Sequence, residues 1–286
     1  MNSYKTLLRP LAAECVGTFL LVFFGTGIVA TSVLTGAQVG LWQVAVVWGI
    51  GVALAIYATA AVSGAHLNPA VSLAFALLRP KDFPVRNLAP YWAAQLAGGV
   101  LAGLAVFGIF HEFILEFETA NALIRGAAGS ERAAMVFGEY FPNPAMFGSR
   151  AEGGHLVAPW MAAVVEGLGT AVLGFVIFAL VDRRNRSLTA KYLAPVLIGA
   201  TIAALISLFA PITQAGWNPA RDFGPRIVAF FAGWDGIAIP GPSNGFWVYI
   251  VGPLVGAPAG AAIYDYVVRP GLKPEPPAGS EVADDD

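Results

Sequence analysis

Charge is what this sequence has least of. Only 12% of its 286 residues are Asp, Glu, Lys or Arg, against roughly 25% in soluble domains, which excludes a soluble fold with a solvated face on every element. Cysteine is limited to Cys15, so neither a disulfide framework nor a cysteine-based metal site can be built; set in an apolar run, Cys15 reads as a small buried hydrophobe. The three histidines, His66, His111 and His155, stand apart in sequence, and a lone His is no metal site. A formal charge of −2, with Lys and Arg dispersed in short loops, offers nothing to a nucleic acid. Paired catalytic carboxylates, a nucleophile with a base and a phosphate-cradling Gly loop are all missing outside the apolar segments. No enzyme, cofactor or metal is therefore expected.

Apolar residues dominate instead, at 57% of the chain with mean hydropathy +0.68, and a lipid membrane is the implied surrounding. Runs long enough to span it, at about 17–25 residues each, lie near 11–34, 42–62, 88–110, 157–181, 192–210 and 246–268. Six spans put both termini on one side. The first run exceeds a signal-peptide core of about 7–15 residues and has no convincing cleavage site, so it is expected to stay in the mature chain. Two shorter runs, 69–78 and 219–232, begin at Asn68-Pro69-Ala70 and Asn218-Pro219-Ala220 and reach only partway across at about 1.5 Å per residue. Asn followed by Pro is good chemistry for starting a helix: the side-chain oxygen caps, while the ring pre-sets φ where no N–H is needed. Irregular backbone must lead into each, which membrane depth tolerates only beside a cavity or within packed protein.

The chain is a duplication. Glu14-x-x-Gly17-Thr18 is echoed by Glu166-x-x-Gly169-Thr170, 54 and 52 residues before the two Asn. Each half holds three spans and a half-helix, so the second is inverted relative to the first, with a pseudo-two-fold axis in the membrane plane. The expected layout is a first half at 1–110 with its half-helix at 68–79, a long connection at 111–156, a second half at 157–268 with its half-helix at 218–232, and a disordered tail at 270–286. Gly99-x-x-x-Gly103 and Gly252-x-x-x-Gly256-x-x-x-Gly260 are small-residue spacings for close helix approach. Lys5, Arg9, Arg79, Lys81, Arg86, Arg183, Arg184, Arg186, Lys191, Arg269 and Lys273 fall on one side, which the positive-inside rule makes the cytoplasm, with both termini. A third Asn143-Pro144-Ala145 lies in the polar connection, is followed by no apolar half-helix and reads as an ordinary turn or short cap.

In this context the chain resembles the aquaporin superfamily of major intrinsic proteins over about 5–268. Ser63-Gly64-Ala65-His66-Leu67-Asn68-Pro69-Ala70-Val71 and Asn218-Pro219-Ala220-Arg221-Asp222-Phe223-Gly224-Pro225-Arg226 are similar to the glycerol-facilitator branch, and Asp222 after the Arg is its most distinctive residue. The resemblance implies an all-α fold of six spans and two re-entrant half-helices, assembled as a homotetramer in a plasma membrane, here a bacterial inner membrane. It implies passive passage of glycerol and other small neutral solutes with some water. It assigns Asn68 and Asn218 as central donors whose NH₂ groups stay free for the pore, and Glu14 and Glu166, with Asp222, as supports of the loops. Gly64, Ala65, His66, Gln214, Ala215 and Gly216 become a carbonyl ladder. Trp48 and Arg221 match the filter pattern; Ala215 stands where that branch has Phe and Ile206 where it has Gly. Those departures keep urea, weak acids and metalloid hydroxides open as alternative solutes. An ion-coupled secondary transporter is the rival class, since inverted repeats and broken helices also mark carriers. The membrane-depth charges are then Glu14, Glu166 and an Arg221-Asp222 pair with Arg226 beside it.

Overall fold

The computed structural model describes residues 2–38 and 40–273, with side chains from residue 7. Within them no strand occurs. The helices are α1 Asn2–Thr35, α2 Leu41–Ser63, α3 Pro69–Leu78, α4 Leu88–Ala120, three single turns α5 Glu131–Ala134, α6 Pro144–Phe147 and α7 Arg150–Gly153, then α8 Pro159–Val181, α9 Ala194–Thr213, α10 Pro219–Ala229, α11 Asp235–Ala238 and α12 Val248–Ile263. Six helical stretches have the length and apolarity to cross a membrane: Leu7–Thr35, Leu41–Ser63, Val85–Ala120, Pro159–Val181, Lys191–Thr213 and Pro242–Gly271. The tail expected at 270–286 lies outside the described residues from 274 onward.

The half-helices start as their sequences dictate. Asn68 is extended at φ −157° and accepts from Ala70 N at 2.8 Å; Asn218 accepts from Ala220 N and Arg221 N at 3.1 and 3.2 Å, with Pro at the first helical position in both. Asn143 caps α6 in the same way, but that helix ends within one turn at Gly148.

The third long helix ends later than its charge pattern suggests. The apolar run ends near 110, yet α4 continues to Ala120, so the first ten residues of the 111–156 connection are helical. Ile114 is fully buried and Phe110 and Phe117 pack on the core, while His111, Glu112 and Glu116 face outward. Arg125 pairs with the buried Glu118 at 2.7 Å and lies over Trp234, which lets the last turn be covered.

Repeat-related helices pack as equivalents: α1 on α4 in the first half and α8 on α12 in the second, with α2 crossing α9 between halves. The α2–α9 crossing rests on Gly49 and Gly199. A Cβ at either would come within 2.5 Å of the other's carbonyl oxygen, so only glycine lets the two backbones meet. The Gly256 and Gly260 positions likewise lie against the α8 backbone at Gly167 and Ala171. At the face carrying the chain ends, Arg79 pairs with Asp265, Asp182 accepts from Arg269 and Tyr264, and Arg184 donates to the carbonyls of Arg269 and Leu272. These contacts tie both halves to the turns at Tyr264–Gly271.

Candidate functional site

The loops into the half-helices carry a run of strained backbone. Ala65, Leu67, Gln214, Ala215 and Trp217 all have positive φ, between 48° and 71°, where non-glycine residues are uncommon. Two carboxylates hold them. Glu14 takes His66 N at 2.9 Å and Leu67 N at 2.7 Å; Glu166 takes Gly216 N at 3.0 Å and Trp217 N at 2.7 Å. Both acids are fully buried. The geometry is repeat-symmetric: each acid takes the amides of the two residues that precede the Asn.

The first half adds Gln95, whose amide nitrogen bridges Glu14 at 2.7 Å and Ser72 at 2.9 Å; the second uses Tyr249, which donates to the Thr213 carbonyl at 3.1 Å. Sequence reasoning missed all of these, since a polar residue within an apolar run has no partner until the fold supplies one. The His66 ring stacks on Phe75 at 4.7 Å, meets Phe83 and Tyr91, and contacts Ser72 through Nδ1 at 3.2 Å.

At the centre the halves exchange hydrogen bonds. Asn68 Nδ2 donates to Trp217 O at 2.9 Å and Asn218 Nδ2 to Leu67 O at 2.8 Å. The expectation that the NH₂ groups stay free is corrected: each spends one N–H on the opposite loop's carbonyl and keeps a second. Both Asn line a cavity of about 280 Å³ that reaches from Val181 and Lys191 to Trp48, Ile206 and Arg221. Gly64, Ala65, His66, Gln214, Ala215 and Gly216 line it too. A second cavity of about 150 Å³ lies beyond, walled by Val29, Ser32, Met135, Glu139 and Asn143 among others. Trp48, Ile206, Gln214 and Arg221 border both cavities and so form the waist between them.

The charges at this waist are not paired as the sequence suggests. Arg221 lies 4.4 Å over the Trp48 ring and forms an ion pair through Nη2 with Glu139, not with Asp222. Asp222 instead accepts from Arg226 Nε and from Glu139 N, both at 2.7 Å. Adjacent helical residues point away from each other, so Asp222 meets the residue four further on. Arg226 also donates to the Ala238 and Glu139 carbonyls. Asp222 therefore holds the 111–156 connection in place rather than the half-helix loop. Gln214 enters through its side chain as well, accepting from Tyr140 N at 2.8 Å. Glu139 is the largest omission of the sequence reading: it is 1% exposed yet sits in a segment of polar composition. Burial raises its carboxyl, and Arg221 opposes that rise. Among the described residues no group of His, Cys, Asp and Glu is arranged to hold a metal.

The family model described as Major intrinsic protein matches residues 1–264. The glycerol uptake facilitator protein of Pseudomonas aeruginosa is 43% identical over 258 residues, 90% of this chain and 87% of that protein. That of Escherichia coli K12 is 41% identical over 266 residues, covering 92% and 89%. The propanediol uptake facilitator PduF of Citrobacter freundii is 39% identical over 262 residues, covering 91% and 92%. Among solved structures, the X-ray structure of the aquaglyceroporin from Plasmodium falciparum superposes with a TM-score of 0.76 at 27% identity, over 92% of this chain and 97% of that one.

Proposed function

Because the chain belongs to the major intrinsic protein family, we propose that the two cavities are a conduction path for glycerol and similarly small neutral solutes, with some water. It is a passive channel and not an enzyme. The observation that carries this reading is the reciprocal exchange at the centre, where Asn68 and Asn218 each donate across to the other half at 2.9 and 2.8 Å and line one cavity with both loops. The second N–H of each Asn serves a passing hydroxyl, and the loop carbonyls accept from it. Two half-helix N-termini meeting here present positive dipole ends, which disfavour cations. At the waist Trp48 offers a flat wall to the carbon skeleton and Arg221 donates to its oxygens. Ala215 and Ile206 line the same cavity, one with a single methyl and one with a branched side chain.

An ion-coupled carrier needs a titrating group free to cycle. Glu14, Glu166 and Asp222 are each engaged by two or more donors that hold backbone or a fixed arginine, which favours static roles. In this reading the protein is a homotetramer in a bacterial inner membrane with both termini cytoplasmic, supported by the basic residues gathered on the terminal face. Stopped-flow light scattering on proteoliposomes tests the function: glycerol influx linear in its gradient and indifferent to proton and sodium ionophores is expected. Saturable influx that stops when an ion gradient collapses would overturn the channel in favour of the carrier, and water flux without glycerol would remove glycerol as the solute.

A further inference from the structure

The third Asn-Pro-Ala starts no half-helix, yet its asparagine makes the same kinds of bond as the other two. Asn143 is buried. Its Oδ1 accepts from Ala145 N at 3.0 Å and caps α6, while its Nδ2 donates to the Ala210 carbonyl at 3.1 Å, 67 residues further along the chain. Asn68 and Asn218 likewise cap with Oδ1 and give Nδ2 to a distant carbonyl. The backbone N–H of Asn143 donates to Pro211 O at 3.2 Å. Capping a helix of four residues calls for neither of these longer-range bonds, and both end on α9.

The end of α9 is where such a hold has an effect. Pro211 lies inside that helix and has no N–H, so one i→i−4 bond is missing and the last turn is loosened; α2, its repeat counterpart, contains no proline. Directly beyond stand Gln214 and Ala215, with φ of 60° and 71°, a conformation that persists only where the surroundings over-determine it. On the far side of the pair, Glu166 holds Gly216 N and Trp217 N. On the near side, Asn143 holds Ala210 and Pro211, and Tyr249 donates to Thr213 O. The Gln214 side chain is also gripped from the Asn143 segment, accepting from Tyr140 N at 2.8 Å and donating to Met135 O at 3.4 Å. Gln214 and Ala215 line the larger cavity.

We infer that Asn143 is a positioning residue for solute selection: by fixing the last turn of α9 it sets where Gln214 and Ala215 stand on the cavity wall, and so how sharply the path separates small polyols from larger ones. The inference rests on the channel reading above and adds to it a determinant outside the two repeated motifs. Its action runs through the α9 backbone rather than through contact with the solute. Asn143→Ser keeps an oxygen for the cap and loses the reach to Ala210. Asn143→Asp keeps the shape and the cap but sets a carboxylate oxygen against the Ala210 carbonyl, two acceptors opposed.

The test is stopped-flow influx of glycerol and erythritol into one batch of proteoliposomes, for wild type and Asn143→Ser, with Asn143→Asp in its place where Asn143→Ser does not fold. Expected is a fall of about threefold in the glycerol-to-erythritol ratio, the effect of losing one buried hydrogen bond on the wall. A purely structural Asn143 would lower the amount of folded protein and both fluxes by the same factor, so an unchanged ratio overturns the inference. For a wild type that passes glycerol and no erythritol, entry of erythritol through the variant is the expected result, and its continued exclusion overturns the inference. Hydrogen exchange on the wild type needs no variant: the amides of Tyr140 and Asn143 should exchange as slowly as those of Gly216 and Trp217, and fast exchange would show that α9 is not held from this side. Glycerol influx with an unchanged ratio thus removes the role of Asn143 and leaves the channel standing, whereas a wild type that passes neither solute overturns both.

Discussion

At the scale of single residues, the proposed channel is set by the side chains along its cavities. Ala215 is 6% exposed and lies on the larger cavity with Ile206, Trp48 and Arg221, where its small side chain leaves room. Ala215→Phe adds a ring to that wall, and influx of four- and five-carbon polyols should fall several-fold more than influx of glycerol. Vesicle shrinkage and reswelling assays on a graded polyol series check it. The Glu139 carboxyl is raised to about 8: burial raises it most, Asp222 and Glu166 add to the rise, and Arg221 and Arg226 oppose it. The residues marked by a motif, Asn68, Asn218 and Arg221, could be read in the chain because helix starts and a cation within an apolar run have local causes. Glu139 could not be, because its burial is produced by Asp222 and Arg226 from 83 and 87 residues away.

At the scale of elements, the half-helices stand where two carboxylates hold their approach loops. Glu166 is fully buried and each oxygen receives one backbone N–H, from Gly216 and from Trp217. Glu166→Gln replaces one acceptor by an NH₂ that faces a backbone N–H, leaving two donors opposed and one unsatisfied. A loss of about 1–3 kcal/mol is expected from a single unsatisfied buried donor, seen as a lower unfolding temperature in detergent, together with reduced glycerol flux as Gln214, Ala215 and Trp217 relax from positive φ. Glu166→Asp keeps both acceptors on a shorter stem and should lose less of each. The two acids were legible through their repeat spacing. The end of α4 was not, because Glu112, Glu116 and Glu118 look like the start of a loop until Arg125 covers Glu118 and the apolar face from Phe110 to Phe117 is found against the core.

At the scale of the whole molecule, the pseudo-two-fold is kept where the halves do the same work and broken where they do not. The Glu14 and Glu166 clamps, the Asn exchange and the Gly49–Gly199 crossing come in matched pairs, and a repeat in the sequence foretells matched pairs. The cavity end with Glu139 and the cluster around Asp182 have no counterpart in the other half, so no internal echo points to them. Asp182 joins the end of α8 to the turns at Tyr264–Gly271: it accepts from Arg184 N and Arg269 Nε at 2.9 Å and from Tyr264 at 3.1 Å. Burial alone would raise its carboxyl, but these donors and the Arg269 charge outweigh burial and hold it below the usual range. A carboxyl lowered on folding contributes stability that is complete above its unfolded value of about 3.9 and is lost as pH falls through the folded value. Asp182→Asn removes that term. The variant should be less stable than wild type at pH 7, and the gap should close as the pH is lowered below about 4, read as converging thermal unfolding curves of the detergent-solubilised protein. A gap that stays constant across that range would mean that packing of the α8 end against Tyr264, rather than the charge, holds α8 to the helical turns at Tyr264–Gly271.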